Sequence, residues 1–191
     1  AVYSDYQHQR ADLGGGEYER AASLIGLPGE RRYAVGAGQP FATLDTALAQ
    51  WTAEGKPSAV IEISDSSTYR ATIVADIPED TRLEIRAANE TRPVLFLTNA
   101  MDIRGAADSE FSLNGLLLAN HPVHVRGDLG QLRLQHCTLV PGMSLRNDGT
   151  PAQPSTPSMS IEATRSEVTI NHCILGAIYA AVTARVAISD T

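Results

Sequence analysis

The sequence predicts an all-β chain wound as a parallel β-helix, or solenoid, behind a capping α-helix. Three observations lead there. Phe111-Ser-Leu-Asn-Gly-Leu-Leu-Leu118, Leu132-Arg-Leu-Gln-His-Cys-Thr-Leu139 and Val168-Thr-Ile-Asn-His-Cys-Ile-Leu175 share one register: apolar-x-apolar, two polar or small residues, then apolar-x-apolar. Alternation with period two is a strand, and the two-residue interruption is a tight corner after which alternation resumes. Shorter apolar-x-apolar strands recur around these copies, and one amphipathic helix precedes them all. Stacked copies put Leu113, Leu134 and Ile170 above one another, so that a core no single turn could close becomes continuous along an axis.

Taken in order, residues 1–35 carry Gly14-Gly-Gly16 in a polar mix without sustained period, which reads as an extended, docked or mobile leader. Thr43-Leu-Asp-Thr-Ala-Leu-Ala-Gln-Trp51 places Leu44, Ala47, Leu48 and Trp51 at helical spacing, with Thr43 as N-cap and Gly55 past the end. A helix over 43–53 would cover the apolar end of the first coil. Residues 36–191 form the β-helix. Val60-Ile-Glu-Ile63 and Tyr69-Arg-Ala-Thr-Ile-Val74 open it. Leu83-Glu-Ile-Arg86, Met101-Asp-Ile-Arg104, Val123-His-Val-Arg126 and Met159-Ser-Ile-Glu162 form a second set, spaced by 18, 22 and 36 positions. The last step is too long for an ordinary coil and contains residues 143–158, rich in Pro, Gly, Ser and Asn, an excursion from the wall. Val186-Ala-Ile-Ser-Asp-Thr191 is in phase with Val168-Thr-Ile-Asn-His-Cys173, so Thr191 falls in mid-coil and the chain is expected to be a piece of a longer protein, truncated at its C-terminal end.

Composition narrows the function classes. The 191 residues suit one domain, and a solenoid counts as one because its coils share a core. A formal charge of −7 argues against sequence-independent capture of DNA or RNA, which needs clustered Lys and Arg. No apolar run is long enough to span a bilayer, so a soluble chain without membrane insertion is expected, with its compartment open. Two cysteines do not make a disulfide framework.

The arrangement of Gly36-Ala-Gly-Gln-Pro-Phe-Ala-Thr-Leu-Asp-Thr-Ala-Leu48, then Val60–Ile63 and Tyr69–Ile73, resembles the opening of the right-handed parallel β-helix superfamily of pectate lyases, pectin methylesterases and phage tailspikes. The resemblance covers residues 36–191. Leu139-Val-Pro-Gly142 through Pro157-Ser158, with Asp12-Leu-Gly-Gly-Gly-Glu-Tyr18, also looks like β-helix proteins associated with phage-tail-like contractile injection loci. Neither resemblance carries a catalytic set onto this chain: the acidic and Arg-Ile-Lys motifs of polygalacturonases, the calcium-binding Asp cluster of the lyases and the motif contexts of the methylesterases are missing. No cofactor is implied.

Several polar constellations remain to be weighed. Arg86, Arg104 and Arg126 each follow an apolar-x-apolar strand, with Arg146 as a continuation. Stacked, their guanidinium groups would line one flank and suit the carboxylates of an acidic glycan or a partner surface. Glu84 and Asp102, two positions earlier, offer them local compensation. The outward row Glu84, Asp102, His124, Ser160 brings Asp102 and His124 within reach as an acid/base pair or as simple surface pairing. Arg126-Gly-Asp128 lies at a turn. His136-Cys137 and His172-Cys173 hold two His and two Cys, but the cysteines replace inward Leu116 while the histidines replace Gly115 at the corner, so their donors diverge and buried core thiols are expected. Asn114, Gln135 and Asn171 form an in-phase column suited to bonding turn backbone and one another. Gly36-Ala-Gly38 and Gly14-Gly-Gly16 lack the flanking elements of a phosphate loop and read as flexible turns, and Trp51 and Phe41 as packing for the helix.

Two functions compete. One is a non-catalytic structural or recognition segment, whose partners are the remainder of its own polypeptide or an assembly. The other is a carbohydrate-active lyase or esterase, or an acidic-glycan-binding module, acting on a polysaccharide. The candidate ligand-binding residues are Arg86, Arg104, Arg126, Asp102 and His124.

Overall fold

A computed structural model describes residues 13–191 apart from residues 25, 143 and 164. The chain winds as a right-handed parallel β-solenoid with three walls. The first wall stacks seven strands: β1 (Arg31–Val35), β2 (Ala59–Ile63), β5 (Arg82–Ala87), β8 (Glu110–Asn114), β11 (Gln131–Gln135), β14 (Glu167–Asn171) and β16 (Arg185–Ser189). The second holds β3 (Thr68–Ala71), β6 (Val94–Leu97), β9 (Leu117–Ala119) and β12 (Thr138–Val140). The third holds β4 (Val74–Ile77), β7 (Met101–Gly105), β10 (Val123–Gly127), β13 (Met159–Ile161) and β15 (Ile178–Ala180).

Register places Tyr33, Ile61, Ile85, Leu113, Leu134, Ile170 and Ile188 in one inward column. Ile61 through Ile170 in that column are fully buried. The predicted stack of Leu113, Leu134 and Ile170 is therefore present. Its corner is a left-handed residue, Gly115 at φ 73°, His136 at 51° and His172 at 53°, followed by inward Leu116, Cys137 and Cys173. Gly tolerates that conformation without strain, and the two histidines adopt it at a cost the stacked walls offset.

Successive coils in this column differ by 28, 24, 28, 21, 36 and 18 residues. The 18-residue step read between Leu83 and Met101 is not a coil, because β5 and β7 lie on different walls of the same turn. Residue 102 instead stacks on Val74 of β4. Apolar-x-apolar alternation looks the same on every wall, so it cannot assign one. The leader also needs redrawing: Arg31–Val35, placed within it, is the first strand of the seven-stranded wall and pairs with β2.

α1 (Leu44–Ala53) is the expected helix. Thr43 is extended (φ −138°, ψ 156°), and its hydroxyl accepts from the Thr46 amide at 3.3 Å. Leu44, Ala47, Leu48 and Trp51 are buried against the first coils, and the Trp51 indole donates to the Pro57 carbonyl at 2.8 Å. Phe41 packs edge-on against Tyr33 with centroids 5.8 Å apart.

Asp65 ties this cap to the next coil. Burial alone would raise its pKa, but amides of Ala37 and Ser67 and the Tyr69 hydroxyl, at 2.8–3.0 Å, outweigh that and hold it at about 2. A depressed carboxylate contributes stability above its unfolded pKa, and that contribution disappears as pH falls toward about 2. Asp65→Asn should therefore flatten the acid limb of the stability–pH curve below pH ~4, measured by thermal midpoints across that range. An unchanged acid limb would remove the assignment.

Candidate functional site

Two of the three column arginines meet. On the third wall Arg104 pairs in register with Arg126, and Asp102 with His124. The outward rows there are Asp76, Arg104, Arg126 and Val74, Asp102, His124, Ser160, Tyr179. Arg86 does not join them. It lies on the seven-stranded wall, where its register partners are Glu62 and Asn114. Glu84, expected beside Asp102, sits on that wall too, opposite Ser112. Arg146 lies in the excursion, where its amide bonds the Thr150 carbonyl at 2.8 Å.

The third-wall charges interlock. Asp102 accepts from Arg104 at 2.8 Å and faces Arg126 at 3.5 Å. Arg126 also reaches Glu162 at 3.4 Å and His124 Nδ1 at 3.4 Å, while Lys56 faces Asp76 at 3.5 Å. Lys56, Arg104 and Arg126 thus face the carboxylates of Asp76, Asp102 and Glu162, a row of balanced charge. Asp102 and His124 are neighbours, as the sequence suggests, but both are engaged by Arg126. Arg104 keeps 55% of its side chain exposed and Arg126 39%, and Tyr179 stands exposed at the end of the adjoining row. A shallow depression of about 440 Å³ lies beside it, lined by Ser160, Glu162, Tyr179 and Ala181.

The seven-stranded wall holds a different network, whose Glu30, Glu84 and Arg86 side chains are buried. Arg82 donates to Glu30 at 2.8 Å and Glu84 at 2.7 Å and faces Glu110 at 3.4 Å. Arg86 holds Glu62 through Nε at 3.0 Å and Nη2 at 2.9 Å, and Arg32 pairs with the other Glu62 oxygen. Burial raises the Glu84 pKa, while Arg82 and Arg86 pull it down. With Arg86 only 7% exposed, its guanidinium is a structural member and not part of a ligand flank.

The segment that covers that wall is part of the leader, and it is docked. Residues 13–24 run across the strands as a strap along the corner between the first and second walls. Gly14 N donates to the His172 carbonyl at 2.8 Å and Gly15 N to Thr138 Oγ1 at 3.0 Å. The Tyr18 ring meets His136 edge-on at 5.6 Å. Further along, Asn114 donates to the Ser23 carbonyl at 3.1 Å and Arg86 to the Leu24 carbonyl at 3.1 Å. Gly14-Gly-Gly16 is therefore an element of close approach and not a flexible turn: a Cβ on Gly15 would lie 2.8 Å from the Leu116 carbonyl carbon. In the column expected of Asn114, Gln135 and Asn171, Asn114 serves the strap and Asn171 accepts from Ser189 at 3.2 Å.

The histidine–cysteine pairs keep their expected divergence. His136 and His172 stack at the corner with centroids 5.0 Å apart, while Cys137 and Cys173 are free and buried, and burial pushes the Cys137 thiol up. Among the described residues no group of three His, Cys, Asp or Glu is placed to hold a metal ion, and no helix is long and apolar enough to cross a membrane. No family model matches the chain, and no significant similarity to a curated protein or to a solved structure is found.

Proposed function

We propose that this solenoid is a non-catalytic structural or recognition segment of a larger assembly, of the kind its resemblance to surface and phage-tail-like β-helix proteins suggests. The observation that carries this reading is the third-wall ladder. A general base needs an available lone pair facing a substrate. The Asp102 carboxylate instead lies between two guanidinium groups at 2.8 and 3.5 Å with its Oδ1 buried away from solvent, and His124 shares one of them. These charges brace neighbouring coils.

Turnover and binding of acidic polysaccharides, with and without calcium, test the proposal. The expected result is no cleavage and no de-esterification; either activity would overturn it. The exposed Arg104 and Arg126 favour one second reading, capture of a carboxylate-bearing glycan without turnover. In that reading Arg104→Ala and Arg126→Ala each weaken retention on an immobilised acidic glycan by tenfold or more, about 1.4 kcal/mol. Unchanged retention in both variants removes it.

A further inference from the structure

Arg20 is the strap's charged anchor. Arg20 is 3% exposed, and its Nη groups donate to the carbonyls of Ala88 at 2.9 Å, Gly16 at 3.2 Å and Ala87 at 3.5 Å. Its Cζ lies 5.6 Å from the centroid of the Tyr18 ring, and its Nε is buried without a partner. No carboxylate among the described residues pairs with it. A buried guanidinium held by carbonyls and the Tyr18 side chain is an unusual anchor, since desolvating the ion is costly. The corner is shaped to take it. Gly115 lies under the guanidinium, and a Cβ there would fall inside the Arg20 Cζ and Nη positions. At the corresponding corners of the next two coils stand His136 and His172, whose rings lie 5.0 Å apart, where Gly115 has no side chain.

We propose that the corner at Gly115 is a guanidinium-binding site, occupied in cis by Arg20, and that this occupancy latches the strap to the coil. The recognising groups, the carbonyls of Ala87 and Ala88 and the open face of Gly115, belong to the coil and stay in place when the strap lifts. Planar donors fit this site as a fork, and a primary ammonium, with its compact donor geometry, does not reproduce it. The site therefore accepts a guanidinium group from elsewhere, such as an arginine side chain of a binding partner, in competition with Arg20. Around it the strap touches the coil through glycine backbone and a few polar bonds, so residues 13–24 open as a unit while the stacked strands stay closed.

Two measurements on the full chain decide this. In Arg20→Ala, methylguanidinium should produce a saturable rise in the thermal midpoint and saturable amide shifts at Gly115, Leu116 and Asn89, the residue whose amide shares a peptide unit with the Ala88 carbonyl, whereas methylammonium produces neither. Adding Gly115→Ala should abolish both responses. In the wild-type chain, the same millimolar methylguanidinium should raise hydrogen exchange at Gly14 and Gly15 at least several-fold, saturably, and leave β8 and β11 unchanged. The second measurement stands even if Arg20→Ala folds poorly. The proposal is overturned if methylguanidinium gives no saturable response in the variant, if methylammonium matches it, or if wild-type exchange rises in strap and strands alike.

Discussion

Leu113→Ala should lower unfolding free energy by about 2–5 kcal/mol, the range for emptying a closely packed aliphatic site. Leu113 has no exposed surface and sits between Ile85 and Leu134 in the longest inward column, so its neighbours above and below are pinned by their own strands and cannot collapse into the space. Ile188→Ala, in the same column but 54% exposed, should cost less than about 1 kcal/mol. Urea titrations of both variants measure the pair of values. A shift in midpoint at constant slope identifies a loss of stability without a change in denatured-state compactness. Equal costs at the two positions would mean that the column is not the load carried by this fold.

Arg82→Ala should be comparably damaging at neutral pH, by about 3–5 kcal/mol, through charge and not through volume. Arg82 is the shared partner of Glu30, Glu84 and Glu110, and the Glu84 side chain is only 3% exposed. Removing the guanidinium leaves Glu30, Glu84 and Glu110 with Arg86 3.8 Å from Glu84 and Arg133 3.3 Å from Glu110 as the remaining cations. The pH dependence follows from the direction of the Glu84 shift. Burial raises its folded pKa above the unfolded value, so the stability linked to its protonated form is fully present below the unfolded pKa. That stability is lost as pH rises through the folded pKa. Without Arg82 the folded pKa rises further, so the deficit of Arg82→Ala should be largest near pH 7 and shrink toward pH ~4.5. Arg82→Ala/Glu84→Gln should recover part of it. Denaturant titrations at both pH values provide the check; a deficit independent of pH, with no recovery in the double variant, would assign the loss to packing alone.

The coil was legible because its signal is local. Alternation marks each strand, and the interruption at Asn114-Gly115, Gln135-His136 and Asn171-His172 marks a shared corner, so the stacking of Leu113, Leu134 and Ile170 could be read without knowing what lies between them. Thr43 and the Leu44–Trp51 stripe announce the helix in the same way. Wall assignment is not local. Leu83-Glu-Ile-Arg86 and Met101-Asp-Ile-Arg104 have the same pattern, and only the backbone pairing places one on the seven-stranded wall and the other on the five-stranded wall. Stacking Arg86 on Arg104 was the consequence. Asp102 with His124 and Arg104 with Arg126 were placed together because their strands do lie in successive coils of one wall. The path of the strap is not legible for a different reason. Its contacts run through glycine amides, carbonyls and one arginine, and such contacts leave no hydrophobic period behind. The available clue was Gly14-Gly-Gly16 followed by Tyr18 and Arg20, small residues that permit close approach ahead of two large ones that anchor.

Because each turn of a solenoid touches only the turns beside it, melting can begin at an end and advance one layer at a time. The strap changes that mechanical picture. Through Gly14 it grips the layer of β14, and through Arg20 it grips the layer of β5, so two non-adjacent layers share a tether that lies parallel to the long axis. While that tether is fastened, a pull along the axis is borne by covalent backbone as well as by the hydrogen bonds between layers. An advancing melting front must then release several layers together.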